Sequence, residues 1–104
     1  MILVMSGTEE GREIVERLND RGEGVVTTVA TEYGHEIYEK IGLGHLCLQG
    51  RLDITGLSEL IRNKNIKILI DATHPYAAQA SLNAIKVSEE CGIKYIRFQR
   101  PSTV

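Results

Sequence analysis

Two hydrophobic patterns alternate along the chain. Short β-branched runs without polar alternation stand at Ile2 to Ser6, Gly24 to Thr31, Leu46 to Leu48, Lys67 to Asp71 and Lys94 to Phe98. That is the pattern of strands buried on both faces. Between them, apolar residues recur three or four apart over Glu9 to Arg21, Gly34 to Ile41, Thr55 to Asn63 and Pro75 to Glu90, the period of helices with one buried face. Ile14, Val15 and Leu18 form such a stripe in the first helix, and Leu57, Leu60 and Ile61 in the third. The fourth carries small residues instead, at Ala77, Ala80, Ala84, Val87 and Cys91, so a backbone can approach it closely.

The order β-α-β-α-β-α-β-α-β predicts an α/β domain of five parallel strands with right-handed helical crossovers. Strands one to three form a mononucleotide-binding half, after which the chain must return beside strand one. The expected sheet is therefore Rossmann-like and doubly wound, of order 3-2-1-4-5, with two helices on each face. Thr8 and Thr55 are candidate N-caps, Glu9 and Glu10 complement the first helix dipole, Gly22 ends that helix, and Pro75 suits the first turn of the fourth.

Composition narrows the function classes. The 104 residues suit one domain, 1–104. A net charge of −2 provides no positive field for a phosphate backbone, so nucleic acid is not an expected partner. Apolar runs such as Ile68-Leu69-Ile70 fall far short of the ~18 residues a membrane span needs. The N-terminus lacks the basic region and long apolar segment of a signal peptide, and a cytoplasmic protein is expected. Cys47 and Cys91 match no disulfide or metal spacing, which predicts reduced core thiols and no metal site.

Four segments concentrate chemistry at the expected carboxyl edge of the sheet. In Ser6-Gly7-Thr8-Glu9-Glu10-Gly11-Arg12, a glycine at the strand-to-helix turn lets a phosphate approach the helix N–H groups; Ser6, Gly7, Thr8 and Glu9 are candidate cofactor contacts. The alternative is that Gly7 and Gly11 serve only the turn and helix packing. In Ala30-Thr31-Glu32-Tyr33-Gly34, Thr31 and Glu32 lie where an acidic side chain meets an adenosine 2′-hydroxyl and repels a 2′-phosphate, which points to NADH; a solvated glutamate at a helix start is the plain alternative. Arg51, in Gly50-Arg51-Leu52-Asp53, offers a guanidinium fork to an anion or a simple turn contact to Asp53. In Asp71-Ala72-Thr73-His74-Pro75-Tyr76-Ala77, proline biases His74 away from helix. Asp71, Ala72 and Thr73 are assigned to the cofactor, and Thr73, His74 and Tyr76 to the reaction centre; His74 as a turn-holding residue is the alternative. His35 and His45 lack such a setting.

Together these segments resemble the precorrin-6A and cobalt-precorrin-6A reductases of corrin biosynthesis. The opening strand with its glycine-threonine loop, Gly50 to Asp53, Asp71 to Ala77 and Arg97-Phe98-Gln99-Arg100-Pro101 all carry the likeness, and the D-A-T-H-P-Y-A run is the specific one. The resemblance implies an oxidoreductase that moves a hydride from NADPH or NADH to a double bond of a tetrapyrrole. It further implies a second α/β domain, with substrate in the cleft between the two, so that this chain is the N-terminal, cofactor-side piece. A regulatory domain that senses a dinucleotide without chemistry is the competing reading. A phospho-acceptor receiver domain fits poorly, since strand three offers no acidic cluster and Lys94 begins strand five rather than ending it.

Overall fold

The computed structural model describes residues 1–50 and 52–99; Arg51 and residues 100–104 lie outside the described residues. Five parallel strands form one sheet in the order β3-β2-β1-β4-β5: β1 (Ile2–Met5), β2 (Val25–Val29), β3 (Cys47–Gln49), β4 (Ile68–Asp71) and β5 (Lys94–Arg97). The expected order and strand direction are both present. β1 sits at the centre, with Met5 level with Thr28 of β2 on one side and with Asp71 of β4 on the other.

Side chains alternate across the pleat and split the core in two. Leu3, Met5, Val26 and Leu69 pack with Leu57 and Ile61 of α3 (Ile54–Asn63) and with Ala84 and Val87 of α4 (Ala78–Cys91). On the other face Val4, Val25 and Val29 pack with Val15 of α1 (Glu9–Asp20) and Tyr38 of α2 (Glu32–Lys40). Fully burying leucines such as Leu3, Leu57 and Leu69 contributes about 2 kcal/mol each. β2 is buried along its whole length, whereas every second residue of edge strand β5 is exposed. Both described cysteines are free thiols, and burial, reinforced by the Glu39 charge, pushes Cys47 up to about 11. Among the described residues no helix is long and apolar enough to cross a membrane.

Helix starts follow local chemistry, with three departures from the sequence reading. Thr8 caps α1 by accepting from Gly11 N at 3.1 Å, as expected. α3 is capped by Asp53, not Thr55: the Asp53 carboxylate accepts from Gly56 N at 2.7 Å, and a negative charge here also complements the positive end of the helix dipole. α2 begins two residues before Gly34, because Thr31 accepts from Gly34 N at 3.0 Å and so places Glu32 inside the first turn. The fourth helix begins at Ala78, not Pro75. The Ala77 N–H donates to the His74 carbonyl at 2.8 Å, a turn in which Pro75 takes the second position; its fixed φ serves that turn as well as it would a helix start. β3 is preceded by a 3₁₀ turn, Gly44–Leu46, which takes Leu46 out of the strand.

Candidate functional site

The loops that follow β1, β2, β3 and β4 enclose a cleft of about 750 Å³ above the centre of the sheet. This is the crevice where strand order reverses, the usual ligand position in open α/β sheets. Its floor is the end of β1. Gly7 there has φ +121, a left-handed conformation that favours glycine, and nothing lies within 4 Å of where a Cβ would stand. The space above the backbone is open to a ligand. Gly11 is the opposite case: a Cβ would lie 2.6 Å from Ser6 Cβ and 3.3 Å from Ala72 Cβ, so its lack of a side chain lets α1 press onto the sheet.

Hydrogen bonds fix both central loops. Thr8 Oγ1 donates to the Ala72 carbonyl at 2.7 Å while capping its own helix, and the Ala72 N–H donates to Met5 O at 2.9 Å. Beneath them, the Ser6 hydroxyl lies 2.8 Å from Thr27 Oγ1 and 2.9 Å from the Tyr38 hydroxyl, and Thr27 Oγ1 donates to Val4 O at 2.7 Å. Burial raises the Tyr38 phenol above its ordinary range against the pull of these bonds. A buried chain of hydroxyls with partners at every step is rigid.

Asp71 anchors the other loop. Its side chain is fully buried; Oδ1 accepts from Thr73 N at 3.1 Å, Thr73 Oγ1 at 2.7 Å and Arg97 Nη1 at 2.9 Å, while Oδ2 accepts from the Tyr95 hydroxyl at 2.7 Å. Burial alone would raise this carboxyl, but the hydroxyls of Ser81, Tyr95 and Thr73 outweigh it and hold Asp71 below the ordinary carboxylate range. Burial and the neighbouring carboxylate push Tyr95 up to about 12. The loop so fixed presents His74, whose Nδ1 accepts from Tyr76 N at 3.2 Å and whose ring lies 4.9 Å from that of Tyr76. With Nδ1 accepting, the neutral imidazole carries its proton on Nε2, where it remains a donor.

The structure brings Ser6, Gly7, Thr8, Glu9, Thr31, Thr73, His74 and Tyr76 to one cleft. Three other candidates stand apart from its lining. Asp71 and Ala72 are buried beneath the loop and hold it from below, and Glu32 is exposed at the start of α2. The fourth, Arg51, is outside the described residues. A smaller recess of about 220 Å³ opens beyond Thr8 and His74, bounded by Pro75 and Phe98. The sequence reading missed Arg12, Tyr38 and Asn83, which also line the cleft. Arg12 closes the first segment, one helical position past Gly11, and that adjacency was its signal; Tyr38 and Asn83 lie in helix interiors and gave none. Exposed tyrosines, Tyr33 and Tyr76, stand at the cleft mouth.

The sheet order and the crevice define the class: a Rossmann-like α/β domain with a cleft at the carboxyl edge of its sheet. The chain belongs within that class to one family, the CbiJ/CobK precorrin-6x reductases, whose family model matches residues 1–104. It is 44% identical over 104 residues to cobalt-precorrin-6A reductase of Methanothermobacter thermautotrophicus, covering 99% of this chain and 34% of that protein. It is 42% identical to the Methanocaldococcus jannaschii protein of the same name, covering 95% and 39%. Its structure matches CobK precorrin-6A reductase with a TM-score of 0.85 at 28% identity, over 99% of this chain and 40% of that one. A yeast reductase, Gre2, solved in complex with NADPH, shares the fold alone, with a TM-score of 0.63 at 16% identity over 86% of this chain and 33% of that one. The chain thus spans roughly a third to two fifths of the length of these relatives.

Proposed function

We propose that this chain is the cofactor-side domain of a cobalt-precorrin-6A or precorrin-6A reductase, holding a reduced nicotinamide dinucleotide across the β1 and β4 loops. Gly7 carries the reading: its φ of +121 and the open space above it form a cradle that a side chain would fill, at the start of a capped helix. A pyrophosphate fits there, with Ser6, Gly7, Thr8 and Glu9 around it and Thr31 toward the adenosine. When bound, the dinucleotide supplies a hydride to a double bond of the tetrapyrrole.

The chain's own residues orient and protonate. Thr73, His74 and Tyr76 face the reaction centre, and His74 is the proton donor in its charged form, the imidazolium: its Nε2 proton goes to the tetrapyrrole as it is reduced, and the ring left behind is neutral, held by the Asp71-anchored turn. Of the two nucleotides the reading assigns NADH, since Glu32 adds a carboxylate beside the Thr31 end and no basic residue lies between Ala30 and Gly34. The remaining length of the relatives supplies a second α/β domain that walls the tetrapyrrole, and the reaction is cytoplasmic. A sensing module without chemistry is not favoured, because the whole chain matches a reductase family.

The reading is tested by titrating NADH and NADPH into the 104-residue chain and repeating the titration with Gly7→Val. Saturable binding that this substitution abolishes is expected. No binding to either nucleotide, or unaltered binding to the variant, defeats the assignment.

A further inference from the structure

The cleft has an electrostatic difficulty that its helix end does not resolve. Glu9 and Glu10 fall in the first turn of α1, and Glu9 lines the cleft, so carboxylate charge opposes any phosphate at this helix start. Of the N–H donors at this helix start that have no partner within the helix, that of Gly11 is already engaged by Thr8 Oγ1. A pyrophosphate brings two further negative charges. Helix dipole and remaining N–H groups must be supplemented by a cation.

Among the described residues Arg12 is the one Lys or Arg side chain that lines the cleft. Its position on α1 turns it toward α2, close enough for its charge to act on the Tyr38 hydroxyl that caps the Ser6 network. Its contact with Glu16 is long, Nε to Oε1 at 3.8 Å, and both side chains are partly exposed. An i,i+4 pair of this length holds little, so the guanidinium is available to a better anion.

We propose that Arg12 is the cation that makes this cleft an anion site, closing its guanidinium on the pyrophosphate of the bound dinucleotide. The inference rests on the dinucleotide reading above and deepens it. Arginine's planar fork suits two phosphate oxygens at once, whereas lysine offers a point charge.

The experiment titrates ADP, adenosine, NADH and NADPH into the 104-residue chain and into Arg12→Gln, Arg12→Lys and Glu16→Gln, with melting curves as a check on folding. Arg12→Gln is expected to weaken ADP, NADH and NADPH alike by about 10- to 100-fold, the worth of a charge-assisted hydrogen bond, and to leave adenosine unchanged. Arg12→Lys falls between, and Glu16→Gln binds as tightly as the parent or tighter. Should Arg12→Gln unfold, Arg12→Lys and Glu16→Gln still decide the matter. Unaltered ADP binding in Arg12→Gln, or in Arg12→Lys when only that variant folds, overturns the proposal. A loss confined to NADPH also overturns it by moving the charge to the 2′-phosphate, and a Glu16→Gln variant as weak as Arg12→Gln does so by making the ion pair structural. If the parent chain binds neither ADP nor NADH, the dinucleotide reading itself fails and this inference with it.

Discussion

Thr8 Oγ1 donates to the carbonyl of Ala72 at 2.7 Å, a hydrogen bond between residues 64 positions apart that ties the loop after β1 to the loop after β4. The same hydroxyl accepts from Gly11 N, so one side chain both caps α1 and sets the spacing of the two central cleft loops. Thr8→Val keeps the shape and removes both bonds. A lost cap and a weakened buried carbonyl together cost about 2 kcal/mol, and Thr8→Ser should recover most of it. Urea unfolding of the three proteins checks this; equal midpoints would show that the bridge holds nothing.

Gly11→Ala separates helix propensity from packing. Alanine is favoured over glycine within a helix by about 1 kcal/mol, yet its Cβ would lie 2.6 Å from Ser6 Cβ and 3.0 Å from Ser6 Cα. Overpacking against backbone costs about 1–3 kcal/mol, and the net expectation is destabilisation with α1 displaced from the sheet. A variant that melts above the parent contradicts the contact.

Asp71 and Tyr95 bracket the pH range of stability. The folded carboxyl of Asp71 lies below its unfolded value of about 3.9, so its contribution is present above that pH and is lost as acid carries the solution through the folded value. Tyr95 is raised to about 12, so its contribution is full below its unfolded value of about 10 and is lost as pH rises toward 12. Asp71→Asn should cost about 3 kcal/mol near neutral pH by leaving Arg97 without its buried partner. It should also flatten the acid limb below about pH 4. Unfolding free energies measured from pH 2 to 11 test both limbs.

On the proposed reading Glu32 sets nucleotide choice, although it does not line the cleft. Glu32→Lys should raise NADPH affinity relative to NADH by about tenfold, the effect of reversing one charge near a 2′-phosphate. An unchanged ratio in paired titrations removes Glu32 from that role.

His74→Ala, made in an enzyme that carries both this domain and the remaining length of the family, should lower the single-turnover reduction rate by ~10²–10⁴-fold with nucleotide affinity nearly intact. A change confined to affinity points to positioning instead. Wild-type values for both leave His74 a turn residue.

The strand runs made the sheet legible, because strands buried on both faces read as β-branched runs without polar alternation, as Val25 to Val29 do even with Thr27 and Thr28 among them. Gly7 was legible because its turn needs a positive φ that few residues adopt, and the D-A-T-H-P run because it carries the family resemblance. Pro75 was ambiguous, since a turn and a helix start ask for the same φ. Nothing local distinguishes Asp53 from Thr55 as a cap, and only the folded entry into α3 decides between them. The partners of Asp71 were hidden for another reason: Tyr95 and Arg97 reach it across two parallel strands, 24 and 26 residues on, a separation that leaves no periodic trace.

The tyrosines are sorted by place in a way that makes the chain its own optical probe. It has four, and no tryptophan to mask their emission. Tyr38 and Tyr95 are locked into the hydroxyl networks, while Tyr33 and Tyr76, 72% and 91% exposed, flank the cleft mouth. Nitration of the native chain therefore marks the two rim phenols first, and protection of that pair by a ligand reports occupancy of the cleft.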